Sequence, residues 1–444
     1  MAAEIPFSWP DKLIGYFLKE CGSTFLLASA LCSTHGTHAS FFSGMGTSEL
    51  AWQMIHASLS AHGLALHLYP GFVCENERHC LSVLARYTLG HIFGDIMDLL
   101  TLPEMDPSWD FMYKKRIVME AAVRSSAFCL RARQYAAVGR PVVTSSGVPC
   151  QDFSSVGNRK GLEGKTAHLL LAWMRWHLVM RIPVVLLENV PQFCLDVIND
   201  FMGKQYFIIA VLCGPEHVGF AFSHRPRLYV ALLLKGSVII LRDIHKTMSA
   251  ACKILKNGTK VRDLFIASPQ EIEYETTMLF QRRCHMLHAS GAILPHICES
   301  QLRMLNLMTA NEHQRVMHYT QLWLQTFHTV PRSEPDLVFG LSDNPGEGWV
   351  TWSAPTMKGG GFSLPVMRTG RRMYWIPSLQ RFMTISEKMA FMGFPSHQKL
   401  AHASRSPCSV MLSWDEEGMI GNAMHLANIG VWQAVVLACI QLVK

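Results

Sequence analysis

Charged side chains are scarce: Asp, Glu, Lys and Arg make up 16% of the 444 residues, against 49% hydrophobic. That balance excludes a disordered or solvating polymer. An uninterrupted apolar run of about 20 residues, the length a membrane helix needs, is also missing. The longest candidates are broken, 166–190 by Arg175, Arg181 and Pro183 and 228–241 by Lys235. A secretory leader is not read either: 25–32 is apolar, but it follows Asp11, Glu20 and a non-basic start, so a place in the core is expected. The 13 cysteines are odd in number and follow no framework spacing, which excludes a disulfide scaffold and favours a reducing compartment. Internal repeats, low-complexity tracts and Pro/Ser-rich linkers are absent from the sequence.

What is present suits two or three globular domains. The net charge of +7 is mild, and it concentrates after residue 346, where Arg368, Arg371, Arg372 and Arg381 stand. Up to residue 235, short apolar runs alternate with helical patterns. Strands are expected at 39–43, 72–74, 92–93, 141–145, 184–187, 206–212 and 228–234, with a helix over 48–60. This rhythm predicts an α/β fold with a parallel sheet. The expected organisation is an N-terminal extension (1–37), a catalytic domain (38–235), a second, smaller domain of irregular segments (236–345) and a C-terminal segment that completes the first domain (346–444). A last helix is expected near 431–443, and a short one beginning at Ser386 and ended by Gly393 and Pro395.

In a parallel sheet ligands sit beyond the carboxyl ends of the strands, so the residues after each run carry the functional signal. After the first comes Phe42-Ser43-Gly44-Met45-Gly46, whose glycines let the backbone turn close to a ligand beside a helix amino end. Glu75 and Asp95 end the next two strands, where carboxylates can accept from a ribose and from an adenine amino group. The pattern does not continue as GxGxxG, which favours an adenosine ligand other than a dinucleotide. Pro149-Cys150-Gln151-Asp152-Phe153-Ser154 follows the strand at 141–145 and places a cysteine in a reactive position. Glu188-Asn189-Val190 and Arg225-Pro226-Arg227 add an acid and two arginines that could hold a heteroaromatic ring.

The set FSGMG (42–46), PCQDFS (149–154), ENV (188–190), RPR (225–227), EKMAFMGFP (387–395) and GNA (421–423), in this order, closely resembles the DNA (cytosine-5)-methyltransferase family. The resemblance covers about residues 40–435 and places 236–345 where that family has its target-recognition region. It implies a class I S-adenosylmethionine-dependent methyltransferase (Rossmann-like) domain with a smaller recognition domain. It further implies that Phe42, Ser43, Gly44, Gly46, Glu75, Asp95 and Asn422 bind S-adenosyl-L-methionine. Cys150 would be the nucleophile toward C6 of a flipped-out cytosine, with Glu188 at N3 and Arg225 and Arg227 on the O2 side.

The implied partner is double-stranded DNA, met by a monomer, with a further protein for any chromatin targeting. The implied compartment is the nucleus in a eukaryote, or the cytoplasm and nucleoid in a bacterium. Two departures stand out: Ser223 replaces the Gln usual before the arginine pair, and Lys165 replaces an Arg common after the loop that follows the cysteine. A tRNA cytosine-5 methyltransferase, or a catalytically weak DNA-binding relative, would carry a similar residue set. Cys284, His288, His296 and Cys298 lie within fifteen positions, but their spacing matches no standard zinc module, so packing or DNA contact is expected and no metal is assigned.

Overall fold

Short apolar runs that end in polar or turn residues become the strands of one sheet. In chain order these are β1 (Gly36–Phe41), β2 (Leu68–Cys74), β3 (His91–Phe93), β4 (Ser126–Cys129), β5 (Gln134–Ala137), β6 (Val143–Ser146), β7 (Val184–Asn189), β8 (Tyr206–Cys213) and β9 (Arg227–Leu234). They are seen in a computed structural model that describes residues 2–29, 36–104, 106, 108–149, 152, 163–289, 303–342, 352–355, 362–364, 367 and 372–443. The spatial order is β8-β9-β7-β6-β1-β2-β3-β4-β5. β3, β2, β1, β6 and β7 are mutually parallel, and β9 is inserted antiparallel between β7 and β8. This is the class I methyltransferase arrangement, extended at one edge by the antiparallel hairpin β4–β5. The chain leaves β1 toward β2 and returns to β6 on its other side, so the sheet's switch point lies between β1 and β6.

The helices are α1 (Trp9–Ser29), α2 (Thr47–Ala61), α3 (Arg78–Tyr87), α4 (Phe111–Glu120), α5 (Ala167–Met180), α6 (Leu195–Met202), α7 (Ile244–Leu255), α8 (Pro269–Ala289), α9 (Ala310–Phe327), α10 (Ile385–Phe391), α11 (Gln398–Ala403) and α12 (Leu426–Cys439). One face of the sheet is covered by α1, α2, α7 and α12, the other by α5 and α6. Helix α12 is buried on every side, as its apolar sequence requires. Helix α1 packs against it, and Phe7, Trp9, Leu13, Ile14 and Phe17 join the same core, each at most 1% exposed and each contributing about 1.5–3 kcal/mol by burial. Residues 3–17 are therefore built into the core and not appended to it. Of the expected apolar segment 25–32, residues 30–32 lie outside the described residues.

Three expectations are corrected. The described residues of 236–345 are not irregular: they hold three α-helices, and the first packs into the large core through Ile244, Met248, Ala251 and Leu255. A separate core begins with Leu279 of α8 and Tyr319 and Trp323 of α9, joined by Trp375 and Phe382 from the tail. The last helix spans Leu426–Cys439, after which Ile440–Leu442 pairs antiparallel with Val238–Ile240. Helix α10 starts after Thr384, whose side chain accepts from Glu387 N in a capping box, one turn residue earlier than Ser386 suggested. No helix among the described residues is long and apolar enough to cross a membrane.

Candidate active site

The carboxyl ends of β1, β2 and β3 bring the first group together. Beyond β1 the chain turns sharply, with Phe42, Gly44 and Gly46 at φ 52, 54 and 78. The left-handed region is uncommon for a bulky residue such as Phe42 and marks a turn held by its surroundings. At Gly46 a side chain is also excluded sterically, since its Cβ would lie 2.9 Å from Thr88 Cγ2 and 3.0 Å from Leu84 Cδ2. Ser43 is buried, and its N–H and Oγ both donate to Cys74 O at the end of β2.

Glu75 binds this turn directly: Gly44 N donates to its Oε2 at 2.8 Å, and Asn76 N and Glu77 N donate to Oε1 at 3.0 and 2.9 Å. Oε2, with a single N–H donor, keeps acceptor capacity for a hydroxyl. Burial raises the Glu75 carboxyl above its ordinary 4.5, against the opposing pull of those three N–H groups. Asp95 caps the turn Ile96–Leu99, accepting from Met97 N at 2.9 Å, and receives Asn76 Nδ2 at 3.3 Å. The nearby Cys74 thiol is pushed well up, first by burial and then by Asp95, Glu75 and Asp98, which shows how closely these carboxylates converge.

The second group forms at β7 and β9. Glu188 is 8% exposed, and its Oε1 lies 3.1 Å from Arg227 Nε. Register explains the pairing: Glu188 sits opposite Tyr229, and Arg227, two residues away on the same face, is its diagonal neighbour. Arg227 Nη1 also donates to Pro226 O. Asn189, not assigned a role from sequence, donates through Nδ2 to Val148 O at 3.1 Å and accepts from Val190 N. Val148 thus approaches the end of β7 two residues before Cys150 in sequence. Cys150 itself, Gln151 and residues 153–162 lie outside the described residues.

Arg225 makes contacts of another kind. It is 7% exposed, and its guanidinium donates to the carbonyls of Met367 (3.0 Å), Gly421 (3.0 Å) and Ala423 (3.1 Å). These bonds fasten the GNA segment, whose Asn422 is exposed, to the start of β9. Beside it the His425 imidazole is held down to about 3, by burial and then by the Arg225 charge. Ser223 bridges through its backbone to Leu364, and Lys165 is exposed.

Another feature missed from sequence is Asp152, 2% exposed, which accepts from Thr166 N at 3.0 Å and Thr166 Oγ1 at 2.6 Å. The Gly164 backbone approaches so closely that a Cβ there would overlap the Asp152 carboxylate. Among the described residues no three His, Cys, Asp or Glu side chains converge as metal ligands. Cys284 lies half-buried on α8, while His296 and Cys298 fall outside the described residues.

Among solved structures, the chain is similar to a protein described as a DNA modification methyltransferase encoded within a prophage of E. coli (13% identity, TM-score 0.46, covering 90% of this chain and 97% of the other). It is also similar to the Dnmt2 methyltransferase of S. pombe (12%, TM-score 0.42, covering 90% and 98%) and to the methyltransferase EhMeth of Entamoeba histolytica (11%, TM-score 0.43, covering 91% and 98%). No curated protein matches the sequence. The sequence model of C-5 cytosine-specific DNA methylases matches residues 140–430, a span that contains Cys150, Glu188, Arg225, Arg227 and Asn422 and follows the turn at 42–46. With that match over more than half its length, the chain belongs to the C-5 cytosine-specific DNA methylase family.

Proposed function

We propose that the protein is an S-adenosylmethionine-dependent DNA (cytosine-5)-methyltransferase acting on double-stranded DNA. The observation that carries this reading is the enclosed Glu188–Arg227 pair, set beside the segment that leads into Cys150. An acid and a guanidinium side by side suit the N3, amino and O2 edge of a cytosine.

The residues at the switch point fit the cofactor: the turn at 42–46 leaves room for close backbone approach, and Glu75 retains acceptor capacity for ribose hydroxyls. Asp95 and Asn422 would flank the same pocket. When bound, S-adenosyl-L-methionine supplies the methyl group. The protein's part is to make C5 of the base nucleophilic. Cys150, as thiolate, forms the sulfur–C6 bond while Glu188 holds the proton at N3, which leaves electron density at C5 that the unactivated ring lacks. Departure of the C5 proton and of the cysteine then restores aromaticity. Arg227 keeps Glu188 in place and faces O2, and Arg225 acts at one remove by fixing the GNA segment. Because C6 is unreachable in a duplex, the base must leave the stack, at a few kcal/mol offset by these contacts.

The test is transfer of labelled methyl from S-adenosylmethionine to unmethylated duplex DNA and, in parallel, to a tRNA pool, with the parent protein and Cys150→Ser. Label on DNA that disappears in the variant is expected. Label on RNA alone would replace DNA with tRNA as the substrate, and label on neither would refute an active enzyme.

A further inference from the structure

The segment that carries Asn422, Trp414–Asn422, is a nine-residue stretch of 3₁₀ helix. Such stretches rarely exceed about four residues, because their hydrogen-bond geometry is poor, so this one needs anchors from outside. Met419 and Ile420 bury into the large core. Apolar contact is non-directional, so it sets the depth of the segment but not its position along its own axis. Three cationic side chains from three other elements supply direction. Glu416 receives Arg86 Nη2 at 2.7 Å and Ser82 Oγ at 3.0 Å, both from α3. Arg225 holds the carbonyls of Gly421 and Ala423. Glu417 receives Lys388 Nζ from α10.

The Lys388–Glu417 contact differs from the other two. Both members are at most 5% exposed, whereas the Arg86 side chain is 42% exposed and Arg225 binds neutral carbonyls. Removing two charges from water largely offsets their mutual attraction, so a buried pair adds little stability over apolar residues of similar volume. What it adds is one defined arrangement. A cleft lined by Met367, Arg372, Tyr374, Ile420 and Gly421 opens beside the pair, so close packing does not take over that task on this side. Lys388 reaches out from a fixed base. Ile385 N, in the first turn of α10, donates to Glu275 Oε1 of α8 at 2.6 Å, and Arg381 grips both oxygens of Glu387 at 2.7 and 2.6 Å. Glu417 is thus the member that is positioned, and α10 the element that positions it.

We propose that Lys388 and Glu417 are positioning residues that set the GNA turn for the cofactor. The inference rests on reading residues 421–423 as a wall of the S-adenosylmethionine pocket. Asn422 lies five residues beyond Glu417, about 10 Å along a 3₁₀ axis, so a displacement of the carboxylate along that axis is carried to the turn. Without the pair the segment stays attached through Met419, Ile420, Arg86 and Arg225, but the register of Asn422 against Glu75 is no longer fixed. Glu188 and Arg227 hang from β7 and β9, so the base pocket keeps its geometry. The cost therefore falls on cofactor binding.

The experiment is calorimetric titration of the full chain with S-adenosylhomocysteine, with thermal unfolding alongside, for the parent and four variants. Glu417→Leu leaves the Lys388 charge buried and uncompensated, and should melt well below the parent. Lys388→Met/Glu417→Leu removes both charges and should regain the parent's melting temperature, while its affinity stays about tenfold below the parent's. A pair that served folding alone would regain both. Glu417→Asp keeps the charges but draws the segment toward α10 by one methylene, and should bind about threefold more weakly. Adding Lys388→Arg, whose side chain reaches further, should return the affinity to within about twofold of the parent.

Methyl transfer to duplex DNA gives a second readout: in Lys388→Met/Glu417→Leu the KM for S-adenosylmethionine should rise about tenfold, with kcat at saturating cofactor within about twofold of the parent. Parental affinity in that double variant at the parent's melting temperature, or a fall in kcat with an unchanged cofactor KM, would overturn the positioning role. If the double variant does not fold, the length series carries the test: parental affinity in Glu417→Asp, or no recovery on adding Lys388→Arg, would overturn it equally. No binding of S-adenosylhomocysteine by the parent would instead overturn the cofactor reading beneath it.

Discussion

Replacing Arg225 with alanine distinguishes a guanidinium that braces the protein from one that contacts the base. The structure commits it to three carbonyls on two distant segments, Met367 and Gly421/Ala423. A hydrogen bond from a charged donor contributes about 1.5–3 kcal/mol. The three share one cation and are not additive, so the expected loss for Arg225→Ala is about 4 kcal/mol, including the carbonyls left buried without a donor. That is a large part of the roughly 5–15 kcal/mol that holds a domain folded. Arg225→Lys keeps the charge but offers a point donor in place of a planar fork, and about half the loss is expected. The assay is urea unfolding with the slope checked for constancy, alongside titration with S-adenosylhomocysteine, which should weaken as the GNA segment loosens. Stability within about 0.5 kcal/mol of the parent, combined with a large fall in turnover, would refute the bracing role and restore Arg225 to the base pocket.

Three further outcomes are expected. Glu188→Gln removes the group that holds the proton at N3 and should lower turnover by at least 100-fold in a methyl-transfer assay, with S-adenosylhomocysteine affinity unchanged; parental turnover would remove Glu188 from the chemistry. Glu75→Gln turns an amide N–H toward the backbone donors that Glu75 now accepts and should weaken cofactor binding tenfold or more. In the parent, affinity should drop on acidification at a pH above the ordinary carboxylate value of 4.5, because burial raises Glu75; a Glu75→Gln variant with parental affinity and acid limb would contradict this. Gly430→Ala places a methyl group into the ring of Trp9, costing about 1–3 kcal/mol, more than the helix propensity it gains. Its melting temperature should fall by several degrees and recover when Trp9 is also made Phe. An unchanged melting temperature would show that residues 2–29 are not packed as described.

The parts of this molecule that could be read from sequence are those written locally. Runs such as VVLLEN (Val184–Asn189), buried on both faces of the sheet, are apolar throughout and end in polar residues, so strand and site appear together. The hairpin β4–β5 escaped notice because QYAA (Gln134–Ala137) is largely exposed and carries no alternation. Helix α9 buries just Tyr319 and Trp323 among its residues, too thin an apolar stripe to signal a helix, which is why residues 236–345 looked irregular. Arg225 and Arg227 are equivalent in an extended RPR segment. What separates them is the arrival of the Gly421 and Ala423 carbonyls from almost 200 positions downstream, which no local pattern encodes.

The central claim, covalent attack on cytosine by Cys150, is tested most directly by trapping. The full-length protein is incubated with S-adenosylmethionine and a duplex containing 5-fluorocytosine, whose fluorine cannot leave as the C5 proton does, and the mixture is resolved under denaturing conditions. A protein–DNA adduct formed by the parent and absent from Cys150→Ser is expected, with the modified peptide containing residue 150. Persistence of the adduct in Cys150→Ser, or methylated DNA formed by the parent without any trapped adduct, would contradict the assignment.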